Sequence, residues 1–512
     1  MTPLGTATPI VQNPVVGAKN VATDAGLTYT SARGRWVIFA TVLGSGMAFL
    51  DATVVNIALP RIGTDLGIGL SGLQWTVNAY TLTLSGFLLL GGSLGDRYGR
   101  KRVFLIGVVW FAAASLLCAV APTGLFLIGA RAVQGIGAAL LTPGSLAIIE
   151  ASFRKEDRGA AIGAWSGLGG VAGALGPFLG GWLVQAATWR LVFLINLPLA
   201  VAVVLVTTRH VPETRDEGMV PGIDVSGALL GALGLAGIIY ALTEAGDKGW
   251  TAPVVVVTGL LGVFALGAFV AVEARSPHPM LPLDIFKSRQ FTAANVVTFV
   301  VYGALGGAFF LLPLELQRAA GFSPLEAGAA LVPLTIIMLL NSARAGRLAQ
   351  RIGPRVPMTI GPLIAGVGLI MLARVGTTAS YFSDVLPGVA VFGLGLSFTV
   401  APLTATVLAA ASEERAGVAS AVNNEVARVA GLVAVAALPI AVGITAAAYR
   451  NPGRLTAGFH TAVVVAGLLC MAGGVLSWLT IRNPEPAAPG PDAVEPVRCS
   501  YHCAVDATPL AG

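Results

Sequence analysis

Charged residues are scarce in this chain of 512 residues, of which only 11% are Asp, Glu, Lys or Arg. A soluble globular protein carries about 25% charged residues. So few charges cannot cover the surfaces of the two or three soluble domains that this length would otherwise allow. Since 55% of the residues are hydrophobic, the composition excludes a soluble protein and indicates a polytopic membrane protein.

Cysteine and histidine are also rare, with four residues of each type. Cys118 and Cys470 lie inside apolar runs and Cys499 and Cys503 lie near the C-terminus, which argues against a disulfide framework. The spacing of the last two cysteines and His502 matches no zinc pattern well, and we expect no metal site. The histidines lie in loops or at the ends of apolar runs, without the Ser/His/Asp or metal constellation of an enzyme.

Other signals of common protein classes are missing as well. Residues 1–35 are polar and lack the short apolar core of a signal peptide, so we expect the first span to act as an uncleaved anchor. No Gly-x4-Gly-Lys-[Ser/Thr] sequence occurs, and we therefore expect neither ATP nor another cofactor. The net charge of +6 comes from cations in short loops between apolar runs. This distribution is typical of membrane topology signals and does not indicate a nucleic-acid-binding face.

Long apolar runs occupy most of the sequence. A helix that crosses a bilayer needs roughly 20 mainly apolar residues, and this window finds about 14 spans. They form a group of six, a middle pair and a second group of six, near 36–58, 73–94, 103–121, 124–149, 160–184, 190–208, then 225–243 and 252–273, then 291–316, 325–343, 357–374, 383–410, 416–442 and 459–481.

This pattern divides the chain into five parts. We predict a cytoplasmic tail, a six-helix bundle, a polar linker that contains two extra spans, a second six-helix bundle and a disordered tail, at 1–35, 36–208, 209–289, 290–482 and 483–512. The predicted fold class is an all-α polytopic membrane protein. We expect the two extra central spans to lie outside the core of the two bundles.

The cations predict how the chain lies in the membrane. Two of the 31 Lys and Arg residues, Arg131 and Arg428, fall within spans. With a cytoplasmic N-terminus, only seven others lie outside the cell: Arg61, Arg190, Lys248, Arg318, Arg374, Arg450 and Arg454. The rest lie in tails and loops on the cytoplasmic side, as the positive-inside rule requires. We therefore expect a multi-pass protein of the cell membrane with both termini in the cytoplasm.

A glycine-spaced, arginine-rich loop follows the second span and partly recurs in the second half. The first copy runs over residues 92–102 and the second over residues 346–355. One such loop in each half indicates a duplicated bundle of membrane helices. The second copy carries Gln350 where the first carries Asp96, so it lacks the acidic group that a charge interlock needs.

Five motifs in register resemble the major facilitator superfamily, and within it the 14-span drug:proton antiporter subfamily. They are Leu50–Pro60, Gly92–Arg102, Arg131–Ala139, Gly176–Gly181 and Trp189–Pro198. The resemblance covers roughly residues 35–482. It implies the major facilitator fold and a proton-coupled exporter of amphipathic or cationic organic compounds that works by alternating access as a monomer. It implies no nucleic acid and no ATP as partners.

Asp51 and Arg131 are the first candidates for proton coupling. An ionisable side chain inside a membrane is costly, and it marks a functional site by default. Counting 1.5 Å per residue along each span places both groups at a similar depth. Protonation of Asp51 would then release Arg131 and alter local packing. The alternative is a fixed structural ion pair, or, for Asp51, a span-end carboxylate that faces water.

Glu425 is a third proton-coupling candidate, and it lies three residues before Arg428 on one helical face. Its carboxylate suits proton coupling or the attraction of a cationic substrate, and the alternative is an internally satisfied pair that only orients the helix. Polar residues elsewhere in the spans are candidates for the substrate cavity, or for hydrogen bonds across helices. The cavity candidates are Asn56, Gln74, Asn78, Asn424 and Arg428.

Two further groups are expected to act in gating. Asp96, Arg97, Gly99 and Arg100 belong to the first loop, where Asp96 can accept hydrogen bonds from helix N-termini or from an arginine. The same cations also serve as topology signals. In the fifth span, Gly176 allows close helix contact and Pro177 adds a kink.

Two other functions stay open at the level of sequence. One is the export of a single endogenous metabolite or antibiotic. The other is a non-transporting membrane sensor or lipid-handling protein, which would not need Asp51, Arg131 and Glu425 inside the membrane.

Overall fold

The computed structural model describes residues 26–215, 224–276, 279–412 and 415–483. Within these residues 14 helices are long and apolar enough to cross a membrane. In chain order, α1 to α14 are Ala32–Leu66, Leu70–Tyr98, Arg100–Ala119, Gly124–Ser152, Lys155–Ala186, Leu191–His210, Val225–Lys248, Pro253–Glu273, Arg289–Arg318, Pro324–Ile352, Arg355–Arg374, Tyr381–Ala409, Gly417–Ala441 and Pro452–Thr480. The predicted all-α membrane fold and its 14 spans are confirmed.

Several helices depart from the spans expected from apolar windows. α1 starts at Ala32, where the Ser31 side chain caps it by accepting a hydrogen bond from Gly34 N at 3.1 Å. α14 starts at Pro452 rather than near residue 459. α10 is interrupted between Ala329 and Val332. A search for apolar runs detects only the apolar middle of each helix, whereas capping residues and prolines determine where the helix begins and ends.

The two groups of six helices pack in the same way. In the first bundle α1 contacts α5 and α6, α4 contacts α2 and α3, and α3 contacts α6. In the second bundle α9 contacts α13 and α14, α12 contacts α10 and α11, and α11 contacts α14. Each contact therefore recurs eight helices later, which is the internal duplication that the repeated loop indicates.

The repeated loop is held by a similar side-chain hydrogen bond in both bundles. Gly99 and Gly353 start α3 and α11 with φ of 106° and 85°, values that favour glycine. Glu213, which follows α6, accepts a hydrogen bond from Lys101 N at 3.0 Å through Oε1. Asn483, which follows α14, accepts one from Arg355 N at 3.1 Å through Oδ1. We call this side of the molecule the loop end, and the opposite side, which holds Gly67 and Gly321, the far end.

The two bundles meet at the far end. Gln74 on α2 donates a hydrogen bond to Val435 O on α13 at 2.7 Å. Gln317 on α9 donates to Ile57 O on α1 at 2.9 Å. Because these contacts cross from one bundle to the other, they close the seam between the bundles on that side.

The extra pair, α7 and α8, lies beside this seam. α7 contacts both α2 and α13, and Trp75 Nε1 donates a hydrogen bond to Glu244 Oε1 at 3.1 Å. Ile239 on α7 is fully buried in a cluster that also contains Leu82 and Leu432. In the apolar stretch of α8 only 11% of the residues are buried, against 67% in that of α1. Most of the surface of α8 therefore faces lipid. The pair therefore lies outside both bundles while α7 touches each of them.

Candidate functional site

Asp51 and Arg131 form a buried ion pair in the first bundle. Asp51 lies on α1 and Arg131 on α4, and the two side chains are 0% and 1% exposed. Arg131 Nη1 donates to Asp51 Oδ2. A buried pair of this kind costs about 3–5 kcal/mol when one partner is removed, since the other charge is left uncompensated. The structure thus brings together the two residues that the sequence singled out first.

Three neutral side chains complete the environment of Asp51. Gln134 Nε2 donates to Asp51 Oδ1 at 2.8 Å, and Asn196 Nδ2 donates to the same oxygen at 3.3 Å. Gln134 Nε2 also donates to Ser115 Oγ at 2.8 Å. The network therefore joins α1, α3, α4 and α6 at one point inside the bundle.

Arg131 has partners other than the carboxylate. Its Nη1 donates to Gln134 Oε1 at 2.7 Å and its Nε donates to Thr76 O at 3.1 Å. The guanidinium carbon lies 4.2 Å from the centroid of the Tyr80 ring, a cation–π contact. Arg131 would consequently keep a carbonyl, an amide and an aromatic face if Asp51 lost its charge.

Glu425 and Arg428 lie on α13 of the second bundle, which packs against α2 of the first. Arg428 Nε is 4.0 Å from Glu425 Oε1, and the side chains are 23% and 16% exposed. The pair is therefore looser and wetter than Asp51–Arg131. Asn423 donates hydrogen bonds to Asn295 and Thr298 of α9, while the exposed Asn424 donates only to Ser420 O on its own helix.

The other predicted cavity residues lie in different surroundings. Gln74 is 4% exposed and serves in the contact between the bundles. Asn78 is 0% exposed, and neither of its amide atoms has a hydrogen-bond partner in the described residues. Asn56 donates a weak hydrogen bond of 3.4 Å to Ala52 O on its own helix. Gln74 and Asn78 lie one helical turn apart on α2, whereas Asn56 lies on α1.

The first loop forms a local charge pair at the loop end. Asp96 Oδ1 accepts a hydrogen bond from Arg100 Nε at 2.7 Å, one helical turn later in the chain. Arg97 is exposed, and its guanidinium carbon lies 5.5 Å from the Tyr98 ring centroid. Gly99 leaves room for the Glu213 carboxylate, whose Oε1 would lie 2.7 Å from an added Cβ. Asp96 therefore acts as the expected hydrogen-bond acceptor, and its donor is Arg100 of the same loop.

The α5 residues predicted to act in gating, Gly176 and Pro177, lie at or near the contact with the second bundle. A Cβ on Gly176 would collide with the Thr53 side chain of α1, so this glycine serves packing within its own bundle. One turn later, a Cβ on Gly181 would lie 2.9 Å from Leu325 Cα on α10. A Cβ on Gly328 would lie 2.8 Å from Pro177 C. The backbones of α5 and α10 therefore touch at the far end.

Sequence reasoning missed three residues of this site as participants. Gln134 and Asn196 stand inside the quoted motifs of the fourth and sixth spans, and the spacing of Arg131 and Gln134 (i, i+3) was the available signal. Ser115 lies in an apolar run and carries no local signal. In the described part of the chain, no group of three or more His, Cys, Asp or Glu residues could hold a metal. Cys499, His502 and Cys503 lie outside the described residues.

Comparison with known proteins places the chain in a family. Residues 41–436 match the Major Facilitator Superfamily. The methylenomycin A resistance protein of Bacillus subtilis is 34% identical, over 86% of this chain and 94% of that protein. The puromycin resistance protein of Streptomyces alboniger is 35% identical, over 91% and 95%. The multidrug resistance protein Stp of Mycobacterium tuberculosis is 35% identical, over 76% and 72%.

A solved structure shares the fold. It is a bacterial homologue of the human lysosomal transporter Spinster, with a TM-score of 0.63 and 18% identity over 90% of this chain and all of that one. The fold, the 14 spans and the matching residues agree with the sequence-based expectation and identify the protein as a multi-pass membrane transporter, not an enzyme. The chain belongs to the major facilitator superfamily, and its relatives include drug and antibiotic resistance proteins.

Proposed function

We propose that this protein exports small organic compounds, antibiotics among them, from the cytoplasm in exchange for protons. The resistance proteins that it resembles support the substrate class. The buried Asp51–Arg131 pair is the single observation that carries proton coupling, because it is an ionisable centre fully enclosed in a membrane bundle. The loop end faces the cytoplasm in this proposal, and both termini lie there.

The coupling step is the arrival of a proton on Asp51. Protonation removes the charge attraction between Asp51 and Arg131 and breaks the hydrogen bond that Oδ2 accepts. Arg131 then relies on Thr76 O, Gln134 and the Tyr80 ring, all of which already contact it. The two protonation states therefore pull α1 and α4 into different relative positions, which is what alternating access requires.

Glu425 and Arg428 serve the substrate in this account. They are partly exposed and belong to the second bundle. A partly solvated carboxylate inside a membrane protein attracts a cationic compound. The substrate is thus drawn to one bundle and the proton to the other.

Efflux from cells tests the proposal. Cells that express the wild type should lose preloaded ethidium and puromycin, and a protonophore should stop this loss. Asp51→Asn should abolish it at equal expression, because the amide cannot carry the proton. Asp247→Asn, at an exposed position near the far end of α7, is the matched control and should pump normally.

The two compounds also separate broad from narrow export. Loss of both compounds supports a multidrug exporter, whereas loss of puromycin alone supports a dedicated one. Normal pumping by Asp51→Asn would refute the coupling role of that residue. An absence of loss with either compound would favour an endogenous metabolite as substrate or a protein that does not transport.

A further inference from the structure

A second carboxylate is buried in the other bundle. Glu315 lies on α9 and is 0% exposed. Its Oε1 accepts a hydrogen bond from Thr456 Oγ1 on α14 at 2.5 Å, while its Oε2 is buried without a partner in the described residues. Oε2 has therefore lost its hydrogen bonds to water, and no protein group in the described residues replaces them.

The charged groups on the helices around Glu315 have partners other than Glu315. Arg318, one turn later on α9, has its guanidinium 4.9 Å from the Tyr449 ring centroid and 3.5 Å from Thr64 Oγ1 on α1. On α1 itself, Arg61 is paired with Asp65 at 3.3 Å. On α13, Arg428 is paired with Glu425.

On the remaining neighbours, Arg454 of α14 is exposed, His460 of α14 contacts Val375 O at 2.7 Å, and Glu326 of α10 caps that helix through Ser323. Asp384 of α12 accepts a hydrogen bond from Ser380 N, and the cations of α10, Arg344, Arg347 and Arg351, lie in its second half, toward the loop end. Tyr449, in the short helix before α14, is buried and its hydroxyl has no partner in the described residues. No cation forms a salt bridge with Glu315 in the part of the chain that the structure describes.

Burial without a cation favours a neutral side chain. An unpaired carboxylate costs several kcal/mol to bury, whereas a carboxylic acid fills the same volume as an uncharged hydrogen-bonding group. The protonated acid also has an O–H to donate, for which Oε2 is available. The closed far end therefore stabilises the protonated form of Glu315 and destabilises the ionised form.

The position of Glu315 links it to the contact between the bundles. It lies three residues, or about 5 Å, before the end of α9. Pro313 stands two residues before it and breaks the helical hydrogen-bond ladder. Gln317 stands two residues after it and holds Ile57 O across the seam. When the bundles part at the far end, this last turn of α9 loses its anchor and can admit water to the carboxylate.

We infer that Glu315 is a second proton-binding site, which takes a proton from water on the far side of the membrane and permits the far end to close only when protonated. The inference rests on the proposed exchange of substrate for protons. In the step itself, a proton leaves water and forms one O–H bond at Glu315 Oε2, and the charge of the carboxylate is neutralised. Closing of the far end thus requires proton uptake.

Infrared difference spectroscopy on the purified full-length protein tests this site without any substrate. A titration with pH should show the C=O band of a protonated carboxylic acid that disappears in Glu315→Gln. Thr456→Val should keep the band and shift its frequency, because it removes the hydrogen bond to Oε1. Glu156→Gln, at an exposed position in the first turn of α5, should change nothing.

A labelling experiment tests the link to the far end. Leu325→Cys reports on the seam, in a background where Cys499 and Cys503 are serine. Because thiolate formation speeds the labelling of any cysteine as the pH rises, the rates with Glu315 and with Glu315→Gln are compared at each pH. An impermeant thiol reagent should label Leu325→Cys severalfold faster at alkaline pH with Glu315 than with Glu315→Gln, because the amide mimics the protonated acid, and the two rates should converge at acidic pH.

Each result separates this inference from the proposed function. An unchanged carboxylic acid band in Glu315→Gln, or an unchanged pH dependence of labelling, would overturn the inference even if efflux is proton-coupled. A band and a labelling profile that depend on Glu315 would sustain it even if efflux of the two test compounds fails.

Discussion

Asp51 accepts hydrogen bonds from three side chains that lie on two other helices, α4 and α6. Arg131 satisfies one oxygen, while Gln134 and Asn196 share the other. Arg131 in turn has the Thr76 carbonyl and the Tyr80 ring. At the residue scale, this arrangement supports the proposed switch, in which the site compensates the carboxylate charge when it is present and holds the arginine when that charge is gone.

Gln134 should be the most sensitive neutral residue of this site, since it contacts both charged partners. Gln134→Leu removes two hydrogen bonds to charged groups at similar volume, and we expect a loss of about 1.5–3 kcal/mol for each. Thermal unfolding in detergent should show a lower Tm, and the pH profile of efflux should shift. The exposed Gln350→Leu serves as control, and an equal Tm in both variants would contradict the role given to Gln134.

The sequence alone could predict the charged members of the site and not their partners. Asp51 and Arg131 stand out because charge is rare in apolar runs. Ser115 and Asn196 are ordinary polar residues on helices far apart in the chain, so only packing shows that they meet. Glu315 was missed for a related reason: it lies near a span end, where a carboxylate looks like a surface residue until the fold buries it.

At the element scale, helix ends and interruptions carry the information that apolar windows lack. The windows found 14 spans because apolar length alone determines them. They could not show that α10 breaks after Ala329, or that the α5 and α10 backbones touch near Gly181 and Gly328. Such close contacts depend on which faces meet after folding.

The contact between α5 and α10 should tolerate no side chain. Gly181→Ala places a Cβ 2.9 Å from Leu325 Cα, and we expect slower efflux and a more accessible far end because the bundles cannot close fully. Labelling of Leu325→Cys measures this accessibility. Gly163→Ala on the same helix meets nothing within 4 Å and is the control. Identical labelling in the two variants would contradict the closed seam.

The segment between α8 and α9 is tied to the start of α13 by an exposed ion pair. Arg415 Nη1 lies 2.5 Å from Asp284 Oδ2, and its hydrogen bond holds the pKa of Asp284 below its ordinary value. A lowered pKa contributes stability that is present above the ordinary Asp pKa of about 3.9 and is lost as the pH falls through the lower, folded-state value.

Asp284→Asn should therefore lower Tm slightly at neutral pH and have no effect in acid, below the folded-state pKa. Thermal unfolding at several pH values measures the difference from the wild type. Asp247→Asn, at an exposed position of α7, should show no such pH dependence. A Tm difference for Asp284→Asn that stays constant into acid would exclude the ion pair as its cause.

At the scale of the whole molecule, the proposed function assigns a different role to each of the two bundles. The first bundle holds the enclosed Asp51–Arg131 pair, and the second holds the looser Glu425–Arg428 pair and Glu315. The contacts of Gln74 and Gln317 join the bundles at the far end. In the proposed function, the two similarly packed bundles rock about this seam, and their unequal charges give each bundle a different role.

Proteoliposomes offer the most direct test of proton coupling through Asp51. The purified wild type would be reconstituted with a pH indicator inside, and ethidium or puromycin movement would be followed under an imposed pH gradient. We expect the gradient to drive substrate uphill and each substrate movement to dissipate it, while Asp51→Asn does neither. Uphill transport and proton flux that persist in Asp51→Asn would contradict the account.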